Sequence, residues 1–397
     1  MFASGLYGYL ADYLIAWGLF LSLVIHTWCF FRFYPPQRHP KLRLLLGNGL
    51  VLLCMLGAAG LIGESYYRFV CVETDSFGLT LPARRWFVLY TRLNSMGCRD
   101  HEWKERKQRD GDVYRIAFVG DSFTYGWGIE NPADRFTDRL QARFNARRET
   151  SLNDPRHGDT AARAPAGTGE DPTEPLRYDP VRPPPVEVMN VAKPGWGTGD
   201  QIEPVRDLIE RYGVNEVVLC YVPNDIEKLI PRRPGFDPLR PPTPVYVNLS
   251  TSALLEHLYY RIVVPRAASV AHYHDWLAAG FSDETVWRRH QQQLYTLVRM
   301  CRERGVRFRA VLLPFLRTGG VEYDEKRIHD MLRRFFEDNG VEVADLLPVI
   351  GGRDPADLVV SPFDAHPNER AHALFAEAIW KVFYRENAAP PQVSPSP

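Results

Sequence analysis

The chain has 397 residues, and its 48 Lys and Arg balance 48 Asp and Glu to a formal net charge of zero. The length accommodates one full single-core domain plus further segments, and the charge balance gives no reason to expect a nucleic-acid partner. Six cysteines with no C-x-x-C pair argue against a metal site or a disulfide framework.

Tyr13 to Phe31 and Leu44 to Gly63 contain no Asp, Glu, Lys or Arg. Each is close to the roughly 20 residues that cross a bilayer as a helix. Residues 1–64 are therefore expected to form a membrane anchor with transmembrane helices at about 13–31 and 44–63. The connecting RFYPPQRHPKLR holds Arg32, Arg38, Lys41 and Arg43 and no acid, while Asp12 and Glu64 lie at the far ends. Short basic loops stay in the cytoplasm, so both termini and everything after about residue 65 are expected on the outer side. The first span has no basic n-region before it, which favours a retained anchor over a cleaved signal peptide. Cys29 and Cys54 fall in the spans, and Cys220 and Cys301 read as buried thiols. A bridge between Cys71 and Cys98 is left open, supported only by an oxidising location.

After a linking segment over 65–112, strands alternate with helical patterns, the signature of a parallel sheet covered by helices. Strands are expected at 114–120, 186–191, 215–222, 307–315 and 341–347, and helices at about 133–146, 200–212, 284–304, 325–339 and 368–384. This makes one doubly wound α/β domain over 113–386. Two segments stand apart from its core: a Pro-, Gly- and Thr-rich stretch at about 145–185, expected as a disordered insertion, and about 232–282, expected as an ordered cap. Residues 387–397 read as a flexible tail.

In an open parallel sheet, ligands bind beyond the carboxyl ends of the strands. Ser122 stands just past the first strand, at the start of a helical turn where backbone N–H groups and the positive helix end favour an oxyanion. An N-cap role for Asp121-Ser122 predicts the same location, so its neighbours decide. The second strand ends in NVAKPGWGTGD, whose spacing fails the dinucleotide fingerprint. The third ends at Asn224-Asp225, offering a side-chain amide, and SPFDAHPN precedes the last helix, where Asp364 can accept from one nitrogen of His366. Together these supply a nucleophile, oxyanion donors, a base and an orienting acid on one sheet edge.

These blocks resemble the SGNH hydrolases, the GDSL esterase/lipase family. GDSF at 120–123 looks like the first block, NVAKPG the second, ND at 224–225 the third and DAHPN the last; LNSMGCRD at 93–100 is similar to a lead-in of envelope-facing members. The resemblance covers about 93–385 and implies a three-layer α/β/α, flavodoxin-like sandwich with a mainly parallel sheet, preceded here by two transmembrane helices. It implies Ser122 as nucleophile, His366 as base and Asp364 as its partner, with an oxyanion hole of Ser122, Gly195 and Asn224. The third block lacks the common GxND, having Val222-Pro223 before Asn224, and the last has D-x-H where DxxH is common. The G-x-S-x-G elbow of α/β-hydrolases is absent.

The expected function is a membrane-anchored serine esterase acting on an O-acyl ester of an envelope glycan, lipid or small molecule, needing no cofactor and no metal. The alternatives are an O-acyltransferase modifying an exported polysaccharide, which would need a membrane partner, and a non-catalytic assembly subunit. If the family reading holds, the location is the bacterial inner membrane with a periplasmic catalytic domain. Asp121 is expected to support its loop. His257, His272 and His274 are expected in surface or packing roles, and Trp127 and Trp196 flank the site as packing or sugar-stacking surfaces.

Overall fold

The computed structural model describes residues 7–35, 37, 39–76, 78, 80–108, 113–152, 184–232, 252–316 and 324–385. The described chain divides into two compact units: residues 1–91 with 234–271, and residues 92–233 with 272–397.

The first unit is built on α1 (Leu10–Phe33) and α2 (Pro40–Ser65), the latter continuing as a wider helical turn to Val70. Both are long and apolar enough to cross a membrane. Most of their large apolar side chains are exposed, as expected of helices that face hydrocarbon rather than a protein core. At the end of α2 a polar knot gathers the rest of the unit. Glu64 accepts from the Ser252 hydroxyl at 2.7 Å and from the backbone N–H groups of Ala253 and Leu254. It also pairs with buried Arg68, whose Nη1 donates to the carbonyls of Tyr7 and Tyr9. Helix α3 (Leu81–Tyr90) is joined to the same cluster through Glu256, which accepts from Leu81 N–H and Arg84.

The second unit is the α/β domain. Its strands are β1 (Tyr114–Gly120), β2 (Val186–Ala192), β3 (Glu216–Tyr221), β4 (Arg307–Leu312) and β5 (Glu342–Asp345), all parallel, in the order β2-β1-β3-β4-β5. β1 and β3 are buried at every position, which is why they read as continuous apolar runs rather than alternating ones. A one-turn helix, α4 (Ser122–Tyr125), follows β1; α5 (Phe136–Leu152) leads to β2, and α6 (Thr198–Asp207) continues as a wider turn to Tyr212. α5 and the last long helix pack together on one face, and Phe136, Leu140 and Phe375 interleave there with Ile116 and Phe118 of β1.

The expected insertion at 145–185 begins as helix, since α5 runs to Leu152; residues 153–183 lie outside the described residues, as do the tail from 386 and 233–251 of the expected cap. The remainder of that cap is helical and divided. α7 (Ala253–Leu258) belongs to the unit of the apolar helices, and α8 (Tyr273–Ser282) to the α/β unit. α9 (Glu284–Glu303) and α10 (Glu325–Asp338) flank β4 in sequence. A small antiparallel hairpin, β6 (Val359–Ser361) and β7 (Asp364–Pro367), precedes α11 (Glu369–Ile379). Asn368 caps α11 by accepting from Arg370 and Ala371 N–H groups. All six cysteines are free thiols, and Cys71 and Cys98 belong to different units.

Candidate active site

The sheet register levels three loop starts. Gly120 at the end of β1 stands opposite Ala192 of β2 and Cys220 of β3, so Ser122, Gly195 and Asn224 all lie within four residues of one line across the sheet. In the order 2-1-3-4-5 the direction of winding reverses between β1 and β3, where a crevice opens for ligands. Gly120 is required by close approach: a Cβ there would stand 2.8 Å from Thr124 Cβ and 3.0 Å from the Cys220 carbonyl.

Asp121 caps the turn that follows, its Oδ1 accepting from Phe123 N–H at 2.9 Å. α4 is only four residues long, so the helix-dipole contribution expected for Ser122 is small; the useful donors are the individual N–H groups of the first turn, which have no partner inside the helix.

His366 and Asp364 sit on β7 rather than in a loop. Residues i and i+2 of a strand point to the same face, which is why the D-x-H spacing works here. Asp364 Oδ1 lies 2.5 Å from His366 Nδ1 and also accepts the His366 backbone N–H at 3.1 Å. His366 Nε2 lies 2.8 Å from Ser122 Oγ. The carboxylate holds the proton on Nδ1, leaving Nε2 as the acceptor for the serine hydroxyl. Asp364 is fully buried and Ser122 and His366 are 8 % and 9 % exposed, so solvent reaches the serine and the imidazole but not the carboxylate. Phe123 and Trp127 pack on the imidazole with ring centroids 5.4 Å and 6.2 Å away, and Trp127 is itself buried.

Gly195 has φ +77°, the left-handed region, and is exposed; a Cβ there would meet nothing, so backbone conformation rather than space calls for glycine. Asn224 Nδ2 donates to Asp121 Oδ2 at 3.2 Å, which leaves its second N–H for another acceptor. Asp121 therefore does more than cap a turn, because one carboxylate orients both the segment bearing Ser122 and the amide of Asn224. Burial raises its pKa, opposed by the bonds from Phe123 and Asn224.

The lead-in LNSMGCRD braces this arrangement, and its individual roles were not legible from spacing. Arg99, 2 % exposed, donates to the carbonyls of Gly126 and Ile129 at 2.8 and 2.7 Å, fastening the loop after Ser122. Asp100 accepts from Asn190 N–H at 2.7 Å, and the Asn190 amide donates to the Thr124 carbonyl at 2.7 Å. An Arg-Asp pair in the lead-in and an Asn inside an apolar strand were the available signals. Lys193 lies over the Trp196 ring at 5.2 Å. His257 stacks on Tyr67, His272 lies 3.4 Å from Asp275, and His274 packs on Phe315, so the three histidines have separate surroundings. Among the described residues there is no cluster of three or more His, Cys, Asp or Glu able to hold a metal.

The four blocks that resemble SGNH hydrolases thus meet at one sheet edge. No protein-family model matches the chain, and no curated protein sequence does. Solved structures similar to it include the esterase EstA from Pseudoalteromonas sp., at 14 % identity over 68 % of this chain and 95 % of that one, TM-score 0.37. The acetyl-xylooligosaccharide esterase Axe2 from Geobacillus stearothermophilus aligns at 13 % identity over 69 % and 95 %, TM-score 0.38. A lipolytic protein of the G-D-S-L family from Veillonella parvula aligns at 14 % over 69 % and 100 %, TM-score 0.35.

Proposed function

We propose that the chain is a membrane-anchored serine esterase of the SGNH type, acting on an O-acyl ester. The observation that carries this reading is the hydrogen-bonded line Asp364–His366–Ser122, with separations of 2.5 and 2.8 Å, at the carboxyl end of a parallel sheet. His366 Nε2 takes the hydroxyl proton as Ser122 Oγ attacks the ester carbonyl, and the imidazolium that forms is stabilised by Asp364. The oxyanion is received by the N–H groups of Ser122 and Gly195 and the free N–H of Asn224, each worth about 3 kcal/mol to the barrier. The tetrahedral intermediate collapses, His366 protonates the departing alcohol, and an acyl-serine remains. Water, deprotonated by His366, then releases the acid and restores the hydroxyl.

The two apolar helices support membrane anchoring. The basic residues between them favour a cytoplasmic loop, with the α/β unit on the outer, periplasmic side of a bacterial inner membrane. Acyl esters of envelope glycans or lipids are the substrates within reach of such an enzyme.

Purified full-length protein in detergent is expected to label with a fluorophosphonate and to turn over short-chain aryl esters, and Ser122→Ala and His366→Ala to do neither. Turnover that persists in Ser122→Ala, or its absence from folded wild-type protein, rules the reading out. Adding oligosaccharides and following products by mass spectrometry distinguishes water from a sugar hydroxyl as acceptor; acylated sugar would assign transfer.

A further inference from the structure

On the α/β unit, α9 and α10 flank a shallow, open groove of about 560 Å³ that contains none of the residues of the Ser122 site. This lies within the range of small-ligand sites. Along α9 its lining repeats every four residues: Trp287, Gln291, Tyr295. Successive members lie one turn apart on one face, so the two rings are separated by about 12 Å along the helix with an amide between them. Phe335 and Arg334 of α10 face this stripe.

The rings differ in how they are held. Trp287 is fixed from three sides, by Phe281 and His290 with centroids at 5.9 Å and by Phe335, edge-on, at 6.3 Å. Tyr295 is 45 % exposed. Among the described residues, the side chains of Gln291, Gln292, Tyr295 and Arg334 have no hydrogen-bond or ion-pair partner. The groove therefore presents a rigid aromatic platform, a second exposed ring, and uncommitted amides, hydroxyl and guanidinium between and beside them.

We propose that this groove is a glycan-binding site separate from the Ser122 centre. A pyranose has one face of C–H groups, weakly positive and apolar, which suits the negative face of an aromatic ring, and an equatorial rim of hydroxyls, which suits planar amides. Two rings about 12 Å apart match sugars two or three positions apart in an extended chain. Along this face an amide stands between the two rings, so each ring has a hydrogen-bonding group beside it for a hydroxyl rim. Among the described residues lining the groove, Arg334 is the cation without an ion-pair partner; set against the one carboxylate, Asp338, it gives a guanidinium that adds preference for a uronate over a neutral sugar. The site would hold a polymer while one of its ester groups is presented elsewhere, but binding here does not depend on Ser122 chemistry.

The test uses full-length Ser122→Ala protein in detergent micelles, titrated calorimetrically with cellohexaose, chitohexaose and hexagalacturonate. At least one hexamer is expected to bind, hexagalacturonate most tightly. Tyr295→Ala and the milder Gln291→Ala should each weaken binding about tenfold or more, and Arg334→Ala should remove the preference for the acidic hexamer. Trp287→Phe keeps the packing and should retain partial binding. No binding by any hexamer, binding unchanged in both Tyr295→Ala and Gln291→Ala, or self-association of the protein abolished by Tyr295→Ala would each overturn the proposal. None of these readouts involves turnover, so a failure here leaves the esterase reading standing, and a failed esterase assay leaves this one standing.

Discussion

At the amino end of the sheet Glu216 meets Arg309 at 2.8 Å and accepts from the hydroxyls of Tyr114 and Tyr384 at 3.0 and 2.7 Å, while Phe383 and Tyr384 cover the guanidinium. Arg115 and Glu187 pair close by at 2.5 Å. At the carboxyl end the acids are met by neutral donors instead: buried Asp121 by Phe123 N–H and Asn224, buried Asp225 by Gln201, and half-buried Glu227 by the Tyr273 hydroxyl. Charge at the first end is neutralised in place, and Arg309 is held firmly cationic by Glu216. At the second end burial pushes the carboxyls up, Glu227 to about 8. One end holds a closed ion pair that specifies packing; the other, the edge that carries Ser122, holds buried Asp121 and Asp225 by neutral hydrogen bonds.

The contrast is broken most severely at Asp364. Asp364→Asn keeps size and shape but no longer enforces the Nδ1–H tautomer of His366, so ester turnover should fall by about 10⁴-fold. Thermal unfolding should stay close to wild type. Unchanged turnover would mean that the hydrogen-bonded line is not the working centre. Arg309→Met acts at the other end. It leaves Glu216 buried without its cation and should cost about 3–5 kcal/mol of folding stability, read by denaturant titration. The turnover of the molecules that remain folded should not change.

The smallest effect sharpens the comparison through pH. Burial gives the Glu227 carboxyl a higher pKa in the folded protein than in the unfolded chain, about 8 against the ordinary 4.5. The folded protein therefore binds more protons than the unfolded chain between those values, so this group's stabilising contribution is complete below about 4.5 and is lost as pH rises through about 8. Glu227→Gln removes that titration and should raise the melting temperature at pH 8 more than at pH 5. Equal shifts at both values would mean that Glu227 is ionised throughout.

Strand order in sequence, helix periodicity and the two apolar spans were legible because each depends on local pattern: continuous apolar runs for β1 and β3, and a 3.6-residue repeat for α9 and α10. The hairpin bearing Asp364 and His366 is not legible in the sequence. Its strands are three and four residues long and include Pro367, too short for an alternating pattern to emerge. The cap was read as one piece, and its division between two units could not be seen, since the bonds from Ser252, Ala253 and Leu254 to Glu64 span almost 190 residues of chain.

By itself the sequence determined which side chains could serve in ester chemistry, and that each follows the end of a strand or precedes a helix. Such information is local, carried by glycine, by turn residues and by apolar runs. Only the tertiary structure decided that Gly120, Ala192 and Cys220 share a level, that Asp121 holds Asn224 as well as its own turn, and that His366 reaches Ser122 across 244 positions. Those relations depend on strand register and on contacts between distant segments, and no local preference encodes a distance between residues so far apart in the chain.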